Sequence, residues 1–106
     1  RKLMSRHPKA TREHIIGHVL RVDRYGNLIT NITKEVFDKL NPGKFSVEFG
    51  RESVSRLHKG YDHVEPGDCF AFFNSLDLLE IGINHGHGGE LLGLKYDSVI
   101  YVNFHG

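Results

Sequence analysis

A carboxylate, an aromatic ring, a glycine and an amide fall within the five positions Asp23-Arg24-Tyr25-Gly26-Asn27, inside the run Val22 to Ile32. Further along, the run Phe73 to Asn84 carries Ser75, Asp77 and Glu80 among alternating apolar residues. A purine nucleoside needs a flat apolar platform, an amide facing its ring edge, and backbone groups close by. A zwitterionic amino acid needs a carboxylate for its ammonium and donors for its carboxylate. Asp23, Tyr25 and Asn27 are of the right types in the first run, as are Ser75 and the backbone near Asn84 and His85 in the second.

The same residue types fill ordinary turns. Asp23 can cap its turn by accepting backbone hydrogen bonds, and Asn27 can occupy a left-handed turn position. Ser75 can cap a loop, and Tyr25 and Tyr61 can pack at an edge with wet hydroxyls. Glu80, on a strand opposite the apolar face, reads as structural rather than catalytic. The pair His85 and His87, with His63 or His105, invites a metal reading. No cysteine pair and no His-Glu helix motif supports one, so exposed loop histidines and no metal are expected. Asp23, His18 and Ser75 make a triad only on paper, because no nucleophile elbow accompanies them. Cys69 is the sole cysteine, which rules out an internal disulfide and fits a reducing compartment. It lies in the apolar run Cys69 to Phe73 and reads as a buried, inert thiol.

The elements that must position these residues are short. Ile15–Val22 and Leu28–Ile32 read as a hairpin whose turn needs the positive φ that Gly26 supplies. Thr33 is placed to cap a helix over Lys34–Leu40, with Ile32 and Phe37 as a hydrophobic staple and Asn41-Pro42-Gly43 as its stop. Strands follow at Phe45–Phe49, more weakly at Glu52–His58, then at Cys69–Phe73, Leu79–Ile83 and Val99–Phe104. A helical turn is expected near Glu90–Leu92. This spacing predicts an all-β fold, a small antiparallel β-barrel of about five to seven strands with one or two short helices.

The chain of 106 residues fits one domain. Residues 1–14 are polar and basic and read as a linker or tail from a missing N-terminal domain, with 15–106 as the barrel. Arg1 in place of Met suggests a piece of a longer protein. With 14 basic and 13 acidic residues, the net charge of +1 provides no global attraction to nucleic acid or a membrane. No apolar stretch nears the ~20 residues of a membrane helix, and no secretory signal appears, so a cytoplasmic location is expected.

Together the two runs resemble the signature stretches of the C-terminal domain of the S-adenosylmethionine hydroxide adenosyltransferases, relatives of fluorinase and chlorinase. The resemblance covers roughly Ile16 to Val102. It implies that S-adenosylmethionine is a substrate, with no cofactor, and that water or hydroxide displaces methionine at the ribose C5′. Asp23 would hold the methionine ammonium, Asn27 the adenine edge, and Ser75 the methionine carboxylate. Tyr25 would line the adenine pocket and Tyr61 would stack on the base, while backbone groups at Asn84 and His85 meet adenine. The catalytic groups are expected in an N-terminal α/β domain of a neighbouring subunit in a homotrimer, so the isolated chain is expected to be inactive. Leu76-Asp77 departs from the family pattern, which has a small or basic residue and then Gly. His85 to Gly89 is richer in Gly and His than usual. A non-catalytic nucleoside-binding barrel and a trimer-assembly module are the alternatives.

Overall fold

The computed structural model describes residues 8–40, 43–58, 64–84 and 86–105. Among these residues, eight strands and two helices follow in chain order: β1 Lys9–Ala10, β2 His14–Val22, β3 Leu28–Thr33, α1 Lys34–Leu40, β4 Phe45–Phe49, β5 Glu52–Val54, β6 Cys69–Phe73, β7 Leu78–Ile83, α2 Gly88–Leu92 and β8 Val99–Phe104. The all-β expectation holds, and the strands pair antiparallel in the order β5-β4-β8-β2-β3-β7-β6. Within the stretch read as a linker, Lys9 and Ala10 pair with Ile16 and Ile15.

The sheet nearly closes into a barrel. Beyond the short β5, His58 reaches the other edge strand and donates its backbone N–H to Ala71 O at 2.7 Å. Ala71 N donates back to His58 Nδ1 at 3.2 Å, so an imidazole nitrogen stands in for a strand carbonyl at the seam. The strand expected over Glu52–His58 is therefore shorter, ending at Val54, with His58 bonded to β6 instead.

Strand β2 serves β8 and β3 as well as the short β1. Its first half pairs with β8, from His14↔Asn103 to His18↔Val99, and its second half with β3. Where it turns from one to the other, the register with β3 shifts between Val19 and Arg21. The Asn31 amide mends the gap by accepting His18 N at 2.8 Å through Oδ1. A side chain at Gly17 is excluded there, since a Cβ would stand 2.4 Å from Ile32 Cγ1.

Inward-facing residues of nearly every strand fill the barrel, among them Ile15, Leu28, Val47, Ala71, Ile81 and Val102. Helix α1 plugs one end. Thr33 Oγ1 accepts Val36 N at 3.3 Å, the expected cap. The staple residues Ile32 and Phe37 are both buried in the core. The Phe37 ring meets Phe45 edge-on at 4.9 Å and lies 5.4 Å from Phe73 and 5.9 Å from Phe104. Among the described residues no helix is long and apolar enough to cross a membrane.

Because Phe37 joins α1 to three strands through ring contacts, its loss opens a cavity that rigid strands cannot fill. Phe37→Ala is expected to destabilise the fold by about 3–5 kcal/mol, read as a lowered urea midpoint.

Candidate functional site

The first signature turn is built by its own carboxylate. Asp23 Oδ1 accepts the backbone N–H of Tyr25 and of Asn27, each at 2.9 Å. Asp23 N donates to Asn27 O at 3.0 Å, Gly26 N donates to Asp23 O at 2.9 Å, and Gly26 takes φ +85°. Asp23 therefore does cap its turn, and both bonds use one oxygen. Gly26, not Asn27, holds the left-handed position.

The second signature turn is a geometric copy of the first. Asn74 Oδ1 accepts Leu76 N at 2.9 Å and Leu78 N at 3.1 Å. Asn74 N donates to Leu78 O at 3.0 Å, and Asp77 N donates to Asn74 O at 2.9 Å. Asp77, at the fourth position like Gly26, has φ 60°. The departure from Gly at this position is thus absorbed, because Asp tolerates the left-handed region better than most residues. Asp77 O also accepts Lys34 N at 2.9 Å, so this turn anchors the start of α1.

Glu80 connects the two turns. It is only 9% exposed, although its strand position suggested a solvent-facing side. Its Oε1 accepts from Asn74 Nδ2 at 3.1 Å and its Oε2 from Asn27 Nδ2 at 3.2 Å. The two turns thus meet over the outer face of β7, which alternation alone does not reveal. Asn27 is 6% exposed, and its Oδ1 lies over Gly82, where a Cβ would come within 2.6 Å of it and within 2.7 Å of Phe70 Cζ.

The glycine-rich run docks on the first turn. A Cβ at Gly26 would fall 2.4 Å from His87 Cγ, and one at Gly88 would fall 3.1 Å from Gly26 O. Gly89 N donates to Gly26 O at 3.0 Å. His87, expected as an exposed loop histidine, is instead half-buried and caps α2, its Nδ1 accepting Glu90 N at 3.2 Å. A sequence clue existed: a polar residue directly before Gly-Gly-Glu is placed to cap a helix. Among the described residues no group of three or more His, Cys, Asp or Glu is arranged to hold a metal ion.

The remaining predicted residues divide. Tyr25 and Ser75 sit exposed at the tips of the two turns, Tyr25 at 68%. Asn84 is buried. Its N–H donates to Asp68 O, its C=O accepts Gly67 N and its side chain donates to Val64 O. A backbone contact from Asn84 to a base must use the second lone pair of its carbonyl. Tyr61 and His85, and His63 of the metal reading, lie outside the described residues. A cavity of about 660 Å³ lies against β5 and β6, lined in part by Glu52, Arg56, Glu65, Asp68 and Cys69, and includes none of Asp23, Tyr25, Asn27 or Ser75. Cys69 is half-buried, and burial together with the Glu52 carboxylate pushes its thiol up to about 11.

Two outcomes follow from this geometry. Gly82→Ala forces Asn27 and Phe70 apart and is expected to cost about 1–3 kcal/mol, measured by denaturant unfolding. The raised Cys69 thiol holds roughly one-hundredth of the thiolate of an ordinary thiol at pH 8. Iodoacetamide labelling of the folded protein should therefore lag far behind labelling in urea, and equal rates would contradict the assignment.

Comparison with known proteins places this architecture. Residues 17–101 match the family model described as the SAM hydroxide adenosyltransferase C-terminal domain. A curated relative, the (R)-S-adenosyl-L-methionine hydrolase of Thermus thermophilus, is 35% identical over 92 residues, 87% of this chain and 33% of the relative. The chain thus spans about a third of that protein's length. The crystal structure of an uncharacterized conserved protein from Thermotoga maritima superposes with a TM-score of 0.77 at 30% identity, covering 92% of this chain and 39% of that one. A conserved hypothetical protein from Thermus thermophilus superposes at 0.67 with 32% identity, over 82% of this chain and 34% of that one. With residues 17–101, most of the barrel and both of its Asx-built turns, matching that family model, the chain belongs to the SAM hydroxide adenosyltransferase family and matches its C-terminal domain.

Proposed function

We propose that this domain forms the adenine- and methionine-binding wall of an enzyme that hydrolyses S-adenosyl-L-methionine to adenosine and L-methionine. The observation that carries the reading is the Asp23–Asn27 turn. It holds the Asp23 carboxylate, the buried Asn27 amide and the exposed Tyr25 ring on one short segment. These suit the ammonium of the amino acid, the exocyclic amine of adenine and the face of the base. Ser75, at the tip of the second turn, is the donor for the methionine carboxylate. The name of the Thermus thermophilus relative supports the substrate.

In the proposed reaction, the oxygen of water bonds to C5′ as the C5′–S bond breaks. Sulfur keeps the bonding electron pair and leaves as the neutral thioether of methionine, and the water proton passes to solvent. Sulfonium is a good leaving group, so catalysis consists of holding the substrate in line with an oriented, desolvated nucleophile. This chain's residues bind and align the substrate. The groups that orient water come from an N-terminal α/β domain of a neighbouring subunit in a homotrimer, and the cytoplasm, where the substrate is made, is the proposed location.

The test uses the full-length protein, incubated with S-adenosylmethionine in chloride buffer and analysed by mass spectrometry. Adenosine and methionine are the expected products, and Asn27→Ala should lower kcat/KM by about 10- to 100-fold with melting followed in parallel. A 5′-chloro product would move the reaction to halogenation, and no product from a folded protein would leave only a binding or assembly role. The 106-residue chain alone should release no adenosine.

A further inference from the structure

We infer that Glu80 is a positioning residue that sets base specificity by fixing which way round the Asn27 amide faces. The inference rests on the reading of this site as one that binds adenosine. Asparagine oxygen and nitrogen are nearly the same size, so an unrestrained amide can turn either atom toward a ligand. Here each orientation is dictated by chemistry. Asn74 Oδ1 receives two backbone N–H groups, from Leu76 and Leu78, and so must be the oxygen. Its Nδ2 then faces Glu80 Oε1 at 3.1 Å. A carboxylate only accepts, so the atom that Asn27 turns to Glu80 Oε2 at 3.2 Å must be its nitrogen.

What remains for a ligand is Asn27 Oδ1. Among the described residues no donor reaches it, and Gly82 beneath it carries no side chain to cover it. Polarity thus passes from the backbone of the second turn through Asn74 and Glu80 to the one amide oxygen of the first turn. An acceptor there pairs with the 6-amino group of adenine and opposes the 6-oxo group of hypoxanthine or guanine. Glu80 touches no ligand in this scheme. It acts through Asn27.

The test is equilibrium binding of adenosine, purine riboside and inosine to the full-length protein and to its Glu80→Gln variant, with thermal melting of both. Wild-type protein should bind adenosine best and inosine worst, with inosine weaker than adenosine by on the order of tenfold or more. Purine riboside, which lacks a group at the 6-position, should fall between them. In Glu80→Gln the new amide must still turn its oxygen to Asn74 Nδ2, so its nitrogen faces Asn27, which then offers Oδ1 to it and Nδ2 to the ligand. The adenosine-to-inosine ratio should then fall to about one or below, whatever the change in stability. A folded Glu80→Gln variant that keeps the wild-type ratio overturns the inference. If that variant does not fold, the wild-type series decides: inosine binding as well as purine riboside overturns it, and weaker inosine supports it. Wild-type protein that binds none of the three overturns the adenosine reading itself, and this inference with it.

Discussion

Glu80 is a buried carboxylate held by two neutral amides, with no cation among its hydrogen-bond partners in the described residues. Burying such a charge costs several kcal/mol unless each lone-pair face is occupied, so both amides must be held in place. Each amide belongs to a different turn. The carboxylate therefore requires the β2–β3 and β6–β7 hairpins to arrive together, and removing either partner would leave it underbonded at about 1–3 kcal/mol. The central pairing of β7 between β3 and β6 provides the frame in which that is met.

The two turns solve one problem with different residues. Each begins with an Asx side chain that accepts two backbone N–H groups, and each has a left-handed residue at its fourth position. The opening residue differs for a reason visible in the bonds. Asn74 needs a donor for Glu80 as well as an acceptor for its turn, and only an amide has both. Among the described residues Asp23 makes no such bond, and its second carboxylate oxygen takes no part in its turn. Rigid turns leave their tips exposed, which is where Tyr25 and Ser75 stand.

Close approach, more than flexibility, explains the glycines of the site. Gly26, Gly82 and Gly88 each leave space that the His87 ring, the Asn27 amide or a neighbouring backbone occupies. Only Gly26 of these three also needs a positive φ. The histidine among them, His87, packs on Gly26 and caps α2.

The sequence by itself determined the barrel's longer strands, though not β1 or the end of β5, together with the Thr33 cap, its Ile32 and Phe37 staple and the turn at Gly26, because each depends on neighbours a few residues apart. It also determined the family, through the two runs. Tertiary structure alone decided the burial of Glu80, the kinship of the two turns, the docking of His87 on Gly26 and the imidazole at the barrel seam. Alternation along Leu78–Ile83 tells which residues share a face, but not whether another segment covers that face. Glu80 is separated from Asn27 by the whole span between the hairpins, and a hydrogen bond across 53 positions leaves no local mark in a sequence.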